Sequence, residues 1–532
     1  MTITRRHLLG ATGALLGAPG AVASAAASGG GAPALDVRHY GAAGNGQAID
    51  SPAINRAIDE AASRGGGTVR LPAGTYLCFS IRLASGVSLL LETGATIKAA
   101  SVPRHGTTQG GYDAAESNAP WEAYQDFGHN HWHNSLIWGE NLHDVAILGA
   151  GLIDGSALSR TYDWDTGLPL VHAPGVANKT IALKHCHNVT LRDFAILRGG
   201  HFGILATGVD NLVIDALRID TNRDGMDIDC CRNVAISNCI VNSPEDDGIC
   251  LKSSYALGAA RMTENVSITG CHVTGGYLVG TLLDGTFQRF DRINAGERAY
   301  TGRIKAGTES NGGYRNITVS GCTFETCRGF ALETVDGGVC EDVTFSGNTM
   351  RDIRNAPPLY LRLGARMRGP AGVPVGRMRR ILISDLVCQA SSPMPSILAG
   401  IPGHAIEDVR IDNVLIQAPG GGTAGMAAVQ VPEDIKGYPE PRRMGTLPAS
   451  GFFMRHVRKL EMSNIEIAFD APDARPVFAM DDVAGADIFR LFATGRGQAS
   501  AFSLSGVSAF SVSGSPGIPD RSVAQTENRT SF

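Results

Sequence analysis

Asp224 stands in Asn222-Arg223-Asp224-Gly225, and the pair Asp246-Asp247 follows 22 and 23 residues later. Three acids brought to one patch repel one another. Crowding raises the pKa of the last to ionise, which suits one carboxyl to donate a proton while its neighbours stay charged. The spacing creates such a patch only if about 22 residues form one structural repeat.

A repeat of that length runs through the chain. A polar pair followed by alternating apolar residues recurs as His143-Asp144-Val145-Ala146-Ile147, His187-Asn188-Val189-Thr190-Leu191 and Asp210-Asn211-Leu212-Val213-Ile214. It returns at Arg232-Asn233-Val234, Glu264-Asn265-Val266, Arg315-Asn316-Ile317 and Glu341-Asp342-Val343, with fainter copies at Ile381, Val409 and Leu460. The first apolar residues lie 44, 23, 22, 32, 51 and 26 apart. That fits a unit of 22–26, with 44 and 51 read as two turns and 32 as one turn with an insertion. Alternation with period two means strand, and short strands at this period predict an all-β solenoid, a right-handed parallel β-helix.

Composition agrees. Sixty-seven glycines in 532 residues serve many tight turns, and 43% hydrophobic content fills a long core, so residues 33–515 are expected to form one elongated domain. A net charge of −5 argues against nucleic acid as a partner. Eleven cysteines, several beside repeat strands, read as buried thiols, with one or two disulfides as the alternative. Residues 1–32 carry Arg5-Arg6 before an apolar stretch and small residues, the pattern of a twin-arginine export signal followed by a linker. No other apolar run is long enough to span a bilayer.

Within 33–100, Ser51-Pro52 opens a helix with apolar Ile54, Ala57, Ile58 and Ala61, closed by Gly65-Gly66-Gly67, a cap for the open end of the coil. Residues 101–134 form a polar and aromatic loop, and 516–532 a polar, disordered C-terminal tail.

Aligning the turns on glycine places Met226, Ile228, Ile249, Leu251, Ile304, Leu283, Phe330 and Leu332 inward. Alternation then turns Asp227, Asp229, Lys252, Asp284, Lys305 and Glu333 outward as a ladder of alternating sign, and sets His201 one turn below Asp224. His129, His131 and His133 could ligate a metal, although their spacing in a loop is weak evidence for it. The basic stretch Arg362, Arg366, Arg368, Arg377, Arg379 and Arg380 is either an extension of a groove or a solvated loop.

Asn222-Arg223-Asp224-Gly225, Asp246-Asp247 and Arg303-Ile304-Lys305, in this order, resemble glycoside hydrolase family 28, the polygalacturonases and their relatives. Gly149-Ala150-Gly151-Leu152-Ile153-Asp154-Gly155 is similar to the early coils of that family, and the resemblance covers roughly residues 35–420. It implies inverting hydrolysis of a glycosidic bond in an acidic, pectin-like poly- or oligosaccharide. One of Asp246 and Asp247 would protonate the leaving oxygen, while Asp224 and the other member activate water. Arg303 and Lys305 would bind the substrate, plausibly through a uronate carboxylate, with Lys252, Asp227, His201, Asp284 and Glu333 around them. The chain diverges from the family pattern: Arg223 replaces a threonine, and the family's Gly-His-Gly is replaced by Gly275-Gly276-Tyr277, where Tyr277 either takes the histidine's place or packs at a corner. A relative acting on another acidic or branched glycan fits better than ordinary polygalacturonan cleavage, with endo and exo action both open. No cofactor or resident metal is implied, and the protein is expected to be an exported monomer. Two alternatives remain: a polysaccharide lyase with calcium on Asp227, Asp229 and Asp284, or a non-catalytic carbohydrate-binding coil.

Overall fold

The computed structural model describes residues 33–102, 111–125, 127–160, 174–289 and 300–532. The export-signal segment 1–32 lies outside them. From Ala34 onward the chain winds as a three-sided prism of parallel strands, each side one sheet. In the turn carrying Asp224 the three strands are Asp224–Asp229, Arg232–Ser237 and Ile240–Asn242, and each pairs with its equivalent in the next turn.

The repeated polar pair is explained at the corner between the first two sides. Asn188, Asn211, Asn233, Asn265 and Asn316 all adopt left-handed φ between 55° and 58°. Asparagine tolerates this conformation because its short amide bonds locally. Each side chain also donates to the turn below: Asn211 to Asn188 at 2.9 Å, Asn233 to Asn211 at 3.0 Å, Asn265 to Asn233 at 3.0 Å and Asn316 to Asn265 at 2.9 Å. The result is a ladder of amides along one edge.

Two intervals were misread. The strand His187–Arg192 pairs directly with His143–Leu148, and Gly313–Ser320 with Thr263–Thr269. The 44- and 51-residue intervals are therefore single turns carrying long excursions. Both excursions leave from the corner just before the acid-bearing sheet, as do residues 100–136 and 421–451. That corner holds Asp246 and the start of the strand at Asp224.

Both ends of the prism are closed. Helix Ser51–Ser63 buries Ile54, Ala57, Ile58 and Ala61 against the first coils, as its spacing predicts. At the other end, residues 516–532 are not a loose tail: Arg521–Gln525 and Thr530–Ser531 pair antiparallel with the last coil, and Phe532 packs on Phe502 and Phe510. Apolar residues hidden in a polar stretch make that cap. All eleven cysteines are buried and free, and no described helix is long and apolar enough to cross a membrane.

Candidate active site

The register brings the acids together. Met226 pairs with Ile249 and Ile249 with Ile304, all facing inward, so Asp224 and Asp247 begin adjacent strands. One oxygen from each of Asp224, Asp246 and Asp247 falls within 4.8 Å of the others.

Their environments differ. Asp247 is buried, which opposes its ionisation, but Arg303 Nε at 2.7 Å and Lys305 Nζ at 2.8 Å each hold one of its oxygens, keeping its pKa well below the usual carboxylate range. Asp224 is pushed well above that range by burial, then by the neighbouring charges of Asp246 and Asp227. Asp246 is half-buried and accepts from Arg223 Nη2 at 2.7 Å.

The outward face of the sheet explains the seclusion of these groups. One outward column runs Ala182, Leu205, Asp227, Cys250, Lys305, Ala331, Tyr360, Ile397, Phe453 in register. Trp132 covers Ala182 and Leu205 from one excursion. Val431, Met444, Leu447 and Ala449 cover Ala331, Tyr360, Ile397 and Phe453 from another. A polar window of three rungs, Asp227, Cys250 and Lys305, lies between two apolar lids and is itself buried.

The expected open ladder is instead a buried network. Lys252 does not neutralise Asp229; it bonds Glu309 at 3.0 Å and lies 3.7 Å from Asp227, whose other neighbour is His129 Nε2 at 3.3 Å. Asp229 accepts from the Ser254 amide and hydroxyl. Glu333 lies 3.8 Å from Arg303 and 3.9 Å from Lys305, and burial raises its pKa. Arg303 and Lys305 are only 3% exposed; both bond Asp247, and both lie within 4 Å of Glu333, so they hold Asp247 in place. His201 is one residue out of register with Asp224, against Phe202 and His129; burial, then Arg223, holds it neutral, well below the usual histidine value.

Two expected residues lie elsewhere. Asp284 and Leu283 belong to no coil strand; they sit in the turn of an antiparallel hairpin, and Asp284 bonds Thr286 in the open. Asp227, Asp229 and Asp284 thus do not converge on a calcium ion. Tyr277 is on the same hairpin, its hydroxyl donating to Glu325 at 3.0 Å and its ring edge-on to Phe287. Of the basic stretch, Arg362 ties down the excursion carbonyls of Glu433 and Asp434, Arg366 bonds Asp336, and Arg379 and Arg380 pair with Glu341 on another face.

The loop histidines also separate: His129 faces Asp227, His131 faces Glu122, and His133 faces Glu116 and Glu140. Among the described residues, only the acid trio and Glu116, His133, Glu140 bring three possible metal ligands within 4.8 Å. Both already hold a cation, since Lys184 bonds Glu140 at 3.0 Å.

Sequence reasoning read His129 as a possible metal ligand and not as a neighbour of Asp227, and it missed Glu309 and Tyr438, which meets the network through Thr308 at 3.0 Å. Two of these, His129 and Tyr438, come from excursions without periodicity, so no repeat signalled them.

Comparison with known proteins agrees with this architecture. Residues 172–291 match the family model "Right handed beta helix region", and residues 34–131 match "Rhamnogalacturonase A/epimerase, pectate lyase-like". A probable polygalacturonase of Vitis vinifera is 24% identical over 446 residues, covering 77% of this chain and 80% of that protein. Among solved structures, a hyperthermoactive exopolygalacturonase from Thermotoga maritima superimposes with TM-score 0.59 at 17% identity, covering 82% of this chain and 92% of the other. A family 28 exopolygalacturonase of Yersinia enterocolitica gives TM-score 0.52 at 17% identity, covering 90% and 78%.

Proposed function

We propose that this chain, a polygalacturonase-like right-handed β-helix protein, is a glycosidase that hydrolyses a pectin-type glycan from a chain end, with Asp224 as proton donor. The observation that carries this reading is the opposed environment of adjacent acids: Asp224 is raised and Asp247 is lowered, with their oxygens within 4.8 Å. Titratable neighbours driven apart in this way divide into an acid and a charged partner. Asp247, tied to two cations, is held ionised in this arrangement and is read as the charged partner; this differs from the role that the motif resemblance gives to the pair.

In the reaction, Asp224 gives its proton to the glycosidic oxygen as the bond to the anomeric carbon breaks. Asp247 and Asp246 polarise the water that attacks that carbon, and one of them takes its proton. The clustering of the three acids suits a water held beside two carboxylates. Inversion is expected from the family resemblance. Action at a chain end is supported by the two lids, which shut the outward face on both sides of the rungs Asp227 to Lys305.

The test is proton NMR of fresh digests of pectic oligosaccharides. Prompt appearance of the opposite anomer supports the scheme. Retention sinks the joint-water step, and an unsaturated, ultraviolet-absorbing product would make the protein a lyase.

A further inference from the structure

Arg303 and Lys305 are tied to Asp247, and a further cation stands near the acids. Beside the acids lies a cavity of about 280 Å³ whose lining includes Ser156, Arg160, Arg198, Asn222 and Tyr277. It opens at the same corner that carries the acids. Asn222 is two residues before Asp224, and its carbonyl accepts from the Glu245 amide at 2.9 Å, next to Asp246. Leu197 pairs with Asp220, so Arg198 stands one turn below Thr221.

The charges in this cavity are unequal. Asp220, also in the lining, has both oxygens occupied, by Asn242 Nδ2 at 2.8 Å and the Leu282 amide at 2.6 Å. Arg160 lies 3.9 Å from Glu245. Arg198 is exposed, and no carboxylate pairs with it among the described residues. A guanidinium with a free fork, flanked by hydroxyls, an amide and an aromatic ring, has the chemistry of a carboxylated sugar site.

We propose that this cavity is a subsite for the carboxylate of a uronic acid residue next to the bond being cleaved, with Arg198 as its principal ligand and Tyr277 as a wall. The inference rests on the glycosidase reading for its place in the reaction. Arg198 is then a specificity residue: it acts on the neighbouring sugar and leaves the acids untouched.

The experiment compares Arg198→Ala and Arg198→Lys with the wild type on an oligogalacturonate and on its carboxyl-reduced counterpart. Losing a charge-assisted hydrogen bond should raise KM for the charged substrate about 10- to 100-fold, with kcat retained. The reduced substrate should be cleaved equally by all three proteins, and Arg198→Lys should fall between the others on the charged one. An unchanged KM for the charged substrate, or equal losses on both substrates, overturns the subsite while leaving the glycosidase reading in place. If the wild type cleaves neither substrate, titration calorimetry with the oligogalacturonate separates the two ideas. Binding that Arg198→Ala abolishes keeps the subsite and removes the hydrolase; binding that survives the substitution, or none at all, overturns the subsite. Circular dichroism checks the fold; among the described residues the Arg198 side chain bonds no partner, and its amide bond to the Asp220 carbonyl is kept in both variants.

Discussion

The guanidinium of Arg223 lies 2.7 Å from Asp246 and 3.9 Å from Asp224, placing one cation between two of the three acids. It occupies the position where the resembling family carries a threonine. Its charge lowers the pKa of Asp224 against the larger effects of burial and of Asp246 and Asp227. Arg223→Thr removes that restraint. The descending, alkaline limb of the pH profile of kcat/KM should move to higher pH, because the proton donor now holds its proton longer. A limb that stays in place or moves down would mean that Asp224 is not the donor.

Asp224→Asn tests the donor directly. A positioned general acid contributes about 10²- to 10⁴-fold, so kcat should fall by that order and the alkaline limb should disappear. Stability should be kept or gained, since a buried carboxyl with a raised pKa is costly to charge. A parallel loss of thermal stability would assign Asp224 to the scaffold.

Asp247 behaves in the opposite sense. Its folded pKa is depressed, so its pairing with Arg303 and Lys305 stabilises the fold at pH values above its unfolded value of 3.8 and is lost as pH falls through the lowered folded value. Denaturant titrations should show wild-type stability dropping below about pH 4, with a smaller drop in Asp247→Asn. Lys305→Met leaves Asp247 and Glu333 buried with one cation fewer and should cost about 3–5 kcal/mol at neutral pH; a loss under 1 kcal/mol would deny the network its structural weight.

The inward column Met226, Ile249, Ile304, Phe330 was legible in the sequence because it obeys a strict geometric rule; the recurring polar pair was visible too, but not that its asparagines form an amide ladder. Inward residues alternate, and the ladder needs a residue that tolerates positive φ in every turn. The acid trio followed from the same period. The 44- and 51-residue intervals were not legible, since an extra turn and an excursion lengthen the spacing alike. Leu283 imitated an inward residue although the hairpin never joins the coil. His129 and Tyr438 reach the network from excursions, where no period links sequence position to place, and the burial of Arg303 and Lys305 depends on those same lids.

The amide ladder itself can be tested. Asn233 both accepts from Asn265 and donates to Asn211 while holding φ at 56°. Asn233→Ala should cost about 1–3 kcal/mol by urea unfolding. Asn233→Gly, which removes the strain but not the lost bonds, should recover part of it. Equal costs for the two would show that hydrogen bonding, not backbone conformation, selects asparagine here.

The lids make the last prediction. Leu205 on one side of the window and Ala331 on the other are outward residues, and both are shut under apolar excursions, by Trp132 and by the Val431–Met444 side chains respectively. A long glycan running across the strands would have to displace both lids, exposing apolar surface at about 25 cal/mol per Å². A chain end needs neither displaced. Polygalacturonate viscosity should therefore fall slowly while reducing ends accumulate, and the first product detected by chromatography should be a single small sugar or a short oligomer of fixed length. A rapid viscosity drop with a broad ladder of oligomers would show that the window opens in solution and that the lids do not set the mode of attack.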